Sequence, residues 1–96
     1  MAAALIVGAG DATGGAIAKA CAREGYTACV NRRARNADQL EALVQSIHAE
    51  GYAARAYPAD ARIEEEVVAM VDAIESDVGP IEVAVFNIGA NVNFSI

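Results

Sequence analysis

Basic and aromatic residues are scarce in this chain. It has seven lysine and arginine residues against thirteen acidic ones, no tryptophan, and a formal net charge of −6. A nucleic-acid-binding surface requires a basic patch or stripe, so this charge balance argues against a nucleic acid as the partner. The 96 residues are nevertheless 55% hydrophobic, which excludes a disordered chain and is enough for the core of one small domain.

Long apolar runs and paired cysteines are also missing. No run approaches the roughly 18 apolar residues that a membrane helix needs, and Met1 leads into an apolar run without the basic segment of a signal peptide. We therefore expect a cytoplasmic protein that does not bind a membrane. The two cysteines, Cys21 and Cys29, have neither C-x-x-C spacing nor a neighbouring histidine, which predicts buried free thiols.

A glycine-rich stretch near the N-terminus is the most informative part of the sequence. The apolar run 3–7 is followed by glycines at positions 8, 10, 14 and 15, and a helix of small residues begins near Thr13. A strand, a tight glycine loop and a helix N-terminus form a phosphate site, because main-chain N–H groups and the helix dipole both favour an anion. The pattern G-x-G-x-x-G fails by one residue, since position 13 is threonine, and an ordinary strand-to-helix turn is the alternative.

The rest of the sequence alternates between apolar runs and amphipathic segments. Strands are predicted at residues 26–30, 52–58 and 81–88, the last of them central and buried. The first helix ends at Gly25. The second begins at Asn36, an N-cap with Gln39 three residues later, and ends at Gly51. Asp60 is placed to cap the third helix.

This order predicts an α/β fold, a Rossmann-like doubly wound parallel sheet built as β-α-β-α-β-α-β. Right-handed crossovers favour the strand order 3-2-1-4, with helices on both faces. The ligand crevice is then expected at the carboxyl ends of strands one and four, where residues 8–14 and 87–91 converge.

At these positions the sequence resembles the short-chain dehydrogenase/reductase family. That family opens with a T-G-x-x-x-G-x-G loop and a helix that often reads A-I-A. Residues 7–14, VGAGDATG, fill this frame, and A-I-A follows at 16–18. Asp60 matches the family's aspartate after the third strand, and residues 87–89, NIG, resemble its N-A-G stretch. The chain departs from the pattern at Val7, Ala12 and Ile88.

The resemblance implies a nicotinamide cofactor site and no metal site. Gly8, Gly14 and the backbone between them would hold the pyrophosphate and the adjoining ribose. Asp60 would accept a hydrogen bond from the adenine amino group beside the N–H of Ala61, or would cap helix three. Asn87 would tie strand four to the ribose-bearing loop, or would form a turn. The implied cofactor-binding residues are Gly8, Gly10, Asp11, Ala12, Thr13, Gly14, Asn31, Arg32, Arg33, Asp60, Ala61, Asn87, Ile88 and Gly89.

Arg32 and Arg33 favour NADP over NAD as the cofactor. An NAD-specific site needs a carboxylate at the end of strand two, where this chain has Asn31 followed by two arginines. A guanidinium group can pair with a 2′-phosphate through two hydrogen bonds. Solvated loop arginines are the alternative, and Asp11 would repel such a phosphate unless an arginine compensates for its charge.

The catalytic residues that the resemblance implies are missing. None of the three tyrosines is followed four residues later by lysine, so there is no Tyr-x-x-x-Lys dyad, and the only lysine, Lys19, lies in helix one. We therefore expect residues 1–96 to be a single cofactor-binding domain, truncated after strand four, whose apolar edge favours a homo-oligomer.

Three functions stay open at this point. The first is the cofactor-binding half of an NADP-dependent oxidoreductase, which transfers hydride between NADP(H) and a small carbonyl or alcohol substrate. The second is a non-catalytic module that binds or senses NADP. The third is an S-adenosylmethionine site, which Asn31 disfavours because such a site wants an acidic residue there.

Overall fold

The computed structural model describes residues 2–9 and 12–87. The strands in these ranges form one parallel sheet in the order β3-β2-β1-β4. The elements are β1 (Ala3–Val7), α1 (Ala12–Arg23), β2 (Thr27–Asn31), a 3-10 turn (Ala34–Asn36), α2 (Ala37–Ala49), β3 (Ala54–Ala56), α3 (Glu64–Asp77) and β4 (Ile81–Phe86). The predicted fold class and strand order are confirmed.

The two central strands are covered on both faces. Every residue of β1 and β2 is buried. On one face, Ile6 and Val30 belong to an apolar cluster with Leu40 of α2 and the small residues of α1. On the other face, Leu5 packs in a second cluster with Ile74 of α3. Helices on both faces explain why β1 and β2 read as continuous apolar runs rather than as alternating ones.

The fourth strand is not central and buried, so that prediction is wrong. β4 pairs with β1 and forms the edge of the sheet in the described part of the chain. Its residues alternate between half-buried and exposed, and Phe86 is 57% exposed. An apolar run indicates a strand suited to cover on both faces, but it does not say whether a neighbouring element supplies that cover. Residues 88–96 lie outside the described residues.

Neither predicted helix cap forms through its side chain. Asn36 stands at the N-cap of α2 without a side-chain capping bond, and Gln39 accepts a hydrogen bond from Arg32 at 2.6 Å instead of closing a capping box. The N-cap of α3 is Ile63, so Asp60 does not cap that helix. Its carboxylate accepts hydrogen bonds from the guanidinium group of Arg62 instead.

The other two strands differ from their predicted bounds at the ends. β2 begins and ends one residue later than predicted and so includes Asn31, while β3 is shorter than the predicted run 52–58. Cys29 is fully buried, as predicted, whereas Cys21 is half-buried, and both thiols are free. No described helix is long and apolar enough to cross a membrane.

Candidate functional site

An open crevice of about 300 Å³ lies at the carboxyl edge of the sheet. Its walls come from the ends of β1, β2 and β4 and from the loop between β3 and α3. The lining residues are Val7, Gly8, Asn31, Arg32, Arg33, Arg35, Asn36, Ala59, Asp60, Ala61, Arg62 and Asn87. The crevice opens at the edge where the strand order reverses, which is the position expected for a ligand in a doubly wound sheet.

Half of the residues proposed from the sequence line this crevice. They are Gly8, Asn31, Arg32, Arg33, Asp60, Ala61 and Asn87. Ala12, Thr13 and Gly14 lie in the first turn of α1, which carries no acidic residue. Gly10, Asp11, Ile88 and Gly89 fall outside the described residues.

Gly8 allows two chain segments to approach closely. Its φ is +81°, and a Cβ at this position would overlap the main-chain oxygen of Asn87. The Nδ2 of Asn87 donates to the main-chain oxygen of Gly8 at 3.2 Å, and its main-chain N–H donates to Val7 at 2.8 Å. Asn87 therefore ties the end of β4 to the start of the glycine loop.

The first N–H groups of the glycine loop are used within the fold. Those of Gly8 and Ala9 both donate to the main-chain oxygen of Asn31, at 3.0 and 2.9 Å. Gly14 allows the helix to pack on this turn, since a Cβ there would lie 2.7 Å from the Cα of Ala9. Gly8 thus contributes its conformation and its small size rather than its N–H group.

Asn31 is a buried residue of β2 that connects this strand to the chain after β3. Its side chain is 2% exposed, and its Nδ2 donates to the main-chain oxygens of Tyr57 at 2.9 Å and Ala59 at 3.1 Å. The sequence placed it just after strand two as a proposed cofactor contact, whereas the structure makes it the last residue of β2. A polar residue that ends a fully apolar run was the signal that it belongs to the strand.

Arginine is concentrated at the crevice. Four of the chain's seven basic residues line it, and two of these, Arg35 and Arg62, were not predicted. The basic residues outside the crevice all form ion pairs, Lys19 and Arg23 with Glu50 and Arg55 with Asp77. Among the described residues, no carboxylate lies within ion-pair distance of Arg32, Arg33 or Arg35. This acidic chain therefore presents a locally positive crevice, which favours an anion.

Asp60 is bound by Arg62 through both carboxylate oxygens. Oδ1 accepts from the main-chain N–H and the Nε of Arg62, at 2.9 and 3.0 Å, and Oδ2 accepts from its Nη2 at 2.9 Å. These hydrogen bonds, with the nearby positive charge of Arg33, lower the pKa of Asp60 to about 2. Asp60 is consequently ionised at neutral pH.

These residues fit a phosphorylated nucleotide. Arginine side chains supply charge-assisted donors to phosphate oxygens. A helix N-terminus without acidic residues in its first turn adds a favourable dipole beside the crevice. Gly8 and Gly14 both lie too close to neighbouring backbone for a Cβ, so only glycine fits at either position.

Comparison with known proteins gives consistent matches. Residues 2–96 match the family described as short chain dehydrogenase. The 2,3-dihydro-2,3-dihydroxybenzoate dehydrogenase of Bacillus subtilis (strain 168) is 37% identical over 83 residues, which are 85% of this chain and 31% of that protein. This chain spans about a third of the length of the curated relatives it matches.

Two solved structures show the same fold. A short-chain dehydrogenase from Rhodopseudomonas palustris superposes with a TM-score of 0.84 and 45% identity, over 97% of this chain and 42% of that one. The L-sorbose reductase of Gluconobacter frateurii, crystallised with NADPH and L-sorbose, gives a TM-score of 0.82 and 28% identity, over 98% of this chain and 35% of that one.

Proposed function

Because this chain belongs to the short-chain dehydrogenase family, we propose that it is the cofactor-binding part of an oxidoreductase and that it binds NADP(H) in preference to NAD(H). The observation that carries the proposal is the crevice at the carboxyl ends of the strands, lined by four arginines. The 2′-phosphate that distinguishes NADP from NAD is an anion suited to guanidinium groups.

Arg32 and Arg33 are the proposed contacts of the 2′-phosphate. They follow β2 directly, at the position where an NAD-specific site would carry a carboxylate for the ribose hydroxyls. The Nη1 of Arg32 donates to Gln39 at 2.6 Å, which holds this side chain against the start of α2. Arg33 is exposed and, among the described residues, forms no ion pair, so its guanidinium can move to a ligand.

The remaining proposed contacts surround the rest of the nucleotide. Ala61 lines the crevice beside Asp60 and would face the adenine ring. The first turn of α1, with Ala12, Thr13 and Gly14, would hold the pyrophosphate, and Asn87 would position the loop around the adjoining ribose. Gly10, Asp11, Ile88 and Gly89 stay proposed contacts outside the described residues. When bound, the cofactor supplies the hydride, and this chain binds and orients it.

The reaction itself is proposed for a protein of the length of the relatives. Hydride transfer from NADPH to the carbon of a small carbonyl substrate needs a proton donor to the carbonyl oxygen, and the reverse reaction needs a proton acceptor at the alcohol. No Tyr-x-x-x-Lys dyad that could fill this role occurs within residues 1–96. We propose that these residues form a single domain of a cytoplasmic enzyme and that the substrate-binding and catalytic groups belong to other segments.

Calorimetric titration with NADPH, NADH and S-adenosylmethionine tests the cofactor assignment. We expect NADPH to bind at least about tenfold more tightly than NADH, and S-adenosylmethionine not to bind. In an R32A/R33A variant the affinity for NADPH should fall while that for NADH stays unchanged, so that the preference for NADPH becomes smaller. The R23A variant removes a basic residue that pairs with Glu50 and is the matched control. Equal binding of NADPH and NADH would exclude the preference, and binding of neither would exclude the proposed function.

A non-catalytic NADP-binding module is the second candidate, favoured by the missing dyad. Sequencing the source gene beyond the codon for Ile96 separates the two. An open reading frame that continues and encodes a Tyr-x-x-x-Lys dyad supports the enzyme. A stop codon directly after Ile96 supports the binding module.

A further inference from the structure

Asp60 and Arg62 form an oriented pair at the rim of the crevice. Asp60 is the one carboxylate among the described lining residues. It accepts three hydrogen bonds from Arg62, two from the guanidinium group and one from the main chain, all between 2.9 and 3.0 Å. The main-chain N–H of Asp60 donates to Glu66 at 2.8 Å, which fixes the loop to the first turn of α3. This set of bonds restricts the side-chain rotamers of Arg62 before a ligand is present.

The ion pair with Asp60 leaves most N–H donors of the Arg62 guanidinium group available to a ligand. Arginine has five N–H donors, and Asp60 engages Nε and Nη2. Both N–H groups of Nη1 and the second of Nη2 stay on the side away from the carboxylate. The side chain of Arg62 is 69% exposed and that of Asp60 is 19% exposed. The carboxylate is therefore shielded beneath a guanidinium group that is open to the crevice.

Building on the proposed function, we infer that Arg62 binds the 2′-phosphate of the nucleotide together with Arg32 and Arg33, and that Asp60 is a positioning residue for Arg62. Both oxygens of Asp60 accept hydrogen bonds from Arg62, which holds the guanidinium group at the rim of the crevice.

The charges around the crevice agree with this assignment. Four guanidinium groups close together repel one another, and a carboxylate among them reduces that repulsion. Asp60 is hydrogen-bonded to one of them, Arg62, and lines the same crevice as the other three. One negative charge among four positive ones leaves the crevice positive, so a phosphate is still attracted.

Two small ligands isolate the phosphate contact. Adenosine 2′,5′-bisphosphate and adenosine 5′-monophosphate share the adenine, the ribose and the 5′-phosphate and differ in the 2′-phosphate. We expect R62A to weaken binding of the bisphosphate about five- to tenfold and to leave the monophosphate unchanged, because one exposed charge-assisted contact is lost. R62K should restore part of the loss, since it keeps the charge but not the planar donors. R23A is the control for the loss of one positive charge.

The D60N variant distinguishes the possible roles of Asp60. Removal of a negative charge alone would strengthen binding of the bisphosphate. Loss of an adenine acceptor would weaken both ligands equally. A positioning role predicts that D60N weakens the bisphosphate selectively, and that it has no further effect in an R62A background. Circular dichroism and thermal unfolding of each variant verify the fold.

Other results of these binding measurements would contradict the inference or the proposed function. Equal loss of both ligands in D60N would overturn the positioning role. If the unmodified chain prefers the bisphosphate but R62A binds it equally well, this inference fails and the proposed function stands. If the unmodified chain binds neither ligand, the proposed function fails, and the inference fails with it.

Discussion

The side-chain amide of Asn87 donates a hydrogen bond to the main-chain oxygen of Gly8, although 79 positions separate the two residues along the chain. The contact fastens the end of β4 to the turn that follows β1. The main-chain oxygen of Asn87 also lies where a Cβ of residue 8 would be, which is why the residue after β1 is a glycine.

The G8A variant should be strongly destabilised. Its Cβ would overlap the main-chain oxygen of Asn87, and φ at this position is +81°. Strain at a positive φ and a clash with backbone each cost about 1 kcal/mol or more, so we expect a loss of about 2–4 kcal/mol in the free energy of unfolding. Urea denaturation measures this directly.

Gly15 provides the matched control for Gly8. A Cβ there would meet Leu43 at 3.5 Å, an ordinary van der Waals contact, and the position is helical. G15A should therefore be neutral or stabilising by up to about 1 kcal/mol. Equal stability of G8A and G15A would contradict the steric account of Gly8.

Replacement of Asn31 by alanine should lower the free energy of unfolding. N31A leaves the buried carbonyl oxygens of Tyr57 and Ala59 without their donor, and we expect a loss of about 2–4 kcal/mol. N31D keeps the shape but loses the donor when ionised. Its folded-state pKa should be raised, so this variant should be less stable at neutral pH than in mild acid.

Asn36 is the control for Asn31. It also lines the crevice, but it is half-buried and forms no side-chain capping bond. N36A should change the free energy of unfolding by less than about 0.5 kcal/mol. A loss in N36A as large as that in N31A would show that general perturbation of the crevice, not the buried amide, sets the cost.

Alkaline pH should destabilise the protein through Cys29. Burial raises the pKa of this thiol from 9.0 to about 11, an effect that Arg55 opposes and Asp77 adds to. A raised folded-state pKa stabilises the fold below the unfolded value, and the stabilisation is lost as the pH rises through the folded value. Stability should therefore decline from about pH 9 to about pH 11.

Thermal unfolding at pH 8 and at about pH 10 measures the effect of Cys29. C29A should show a smaller decline than the unmodified chain over this interval. The pKa of Tyr57 is raised to about 12, so its own contribution begins above the 10.0 of a free tyrosine. The same decline in C29A would exclude the thiol as the cause.

The edge strand β4 should promote self-association. Edge strands expose unpaired backbone groups that can pair with another chain, and within the described ranges no strand covers the outer side of β4. V85K, in this strand, should lower the apparent mass in sedimentation experiments. V68K, at a 53% exposed position of α3, is the control. An unchanged mass in V85K would count against pairing along this edge.

The architecture was largely predictable because it depends on periodicity and on chain topology. β1 is apolar throughout, β2 is apolar between Thr27 and Asn31, and short crossovers permit few strand orders. The same reasoning placed Gly8, Arg32 and Asn87 at one crevice, since the carboxyl ends of parallel strands share an edge.

The details that failed depend on competition between partners. Asn31 was predicted to follow strand two, but it ends β2 and its amide donates to the main-chain oxygens of Tyr57 and Ala59. Asp60 could have capped α3, but an arginine two residues away offered three donors to its carboxylate. Gln39 accepts a hydrogen bond from Arg32 instead of forming the expected capping box. Sequence patterns identify groups that can form hydrogen bonds, and only the folded geometry decides which partner each of them gains.

Asn31 joins three of the segments that form the crevice, because its main-chain oxygen binds the turn after β1 and its amide binds the chain after β3. The conformational entropy of these segments is thus lost on folding, not on binding, and the site is preorganised for its ligand. The affinity for nucleotide and the thermal stability of the protein should then both depend on the side chain of Asn31. N31A should therefore bind nucleotide more weakly as well as unfold more easily, because the segments that form the site are less ordered before binding.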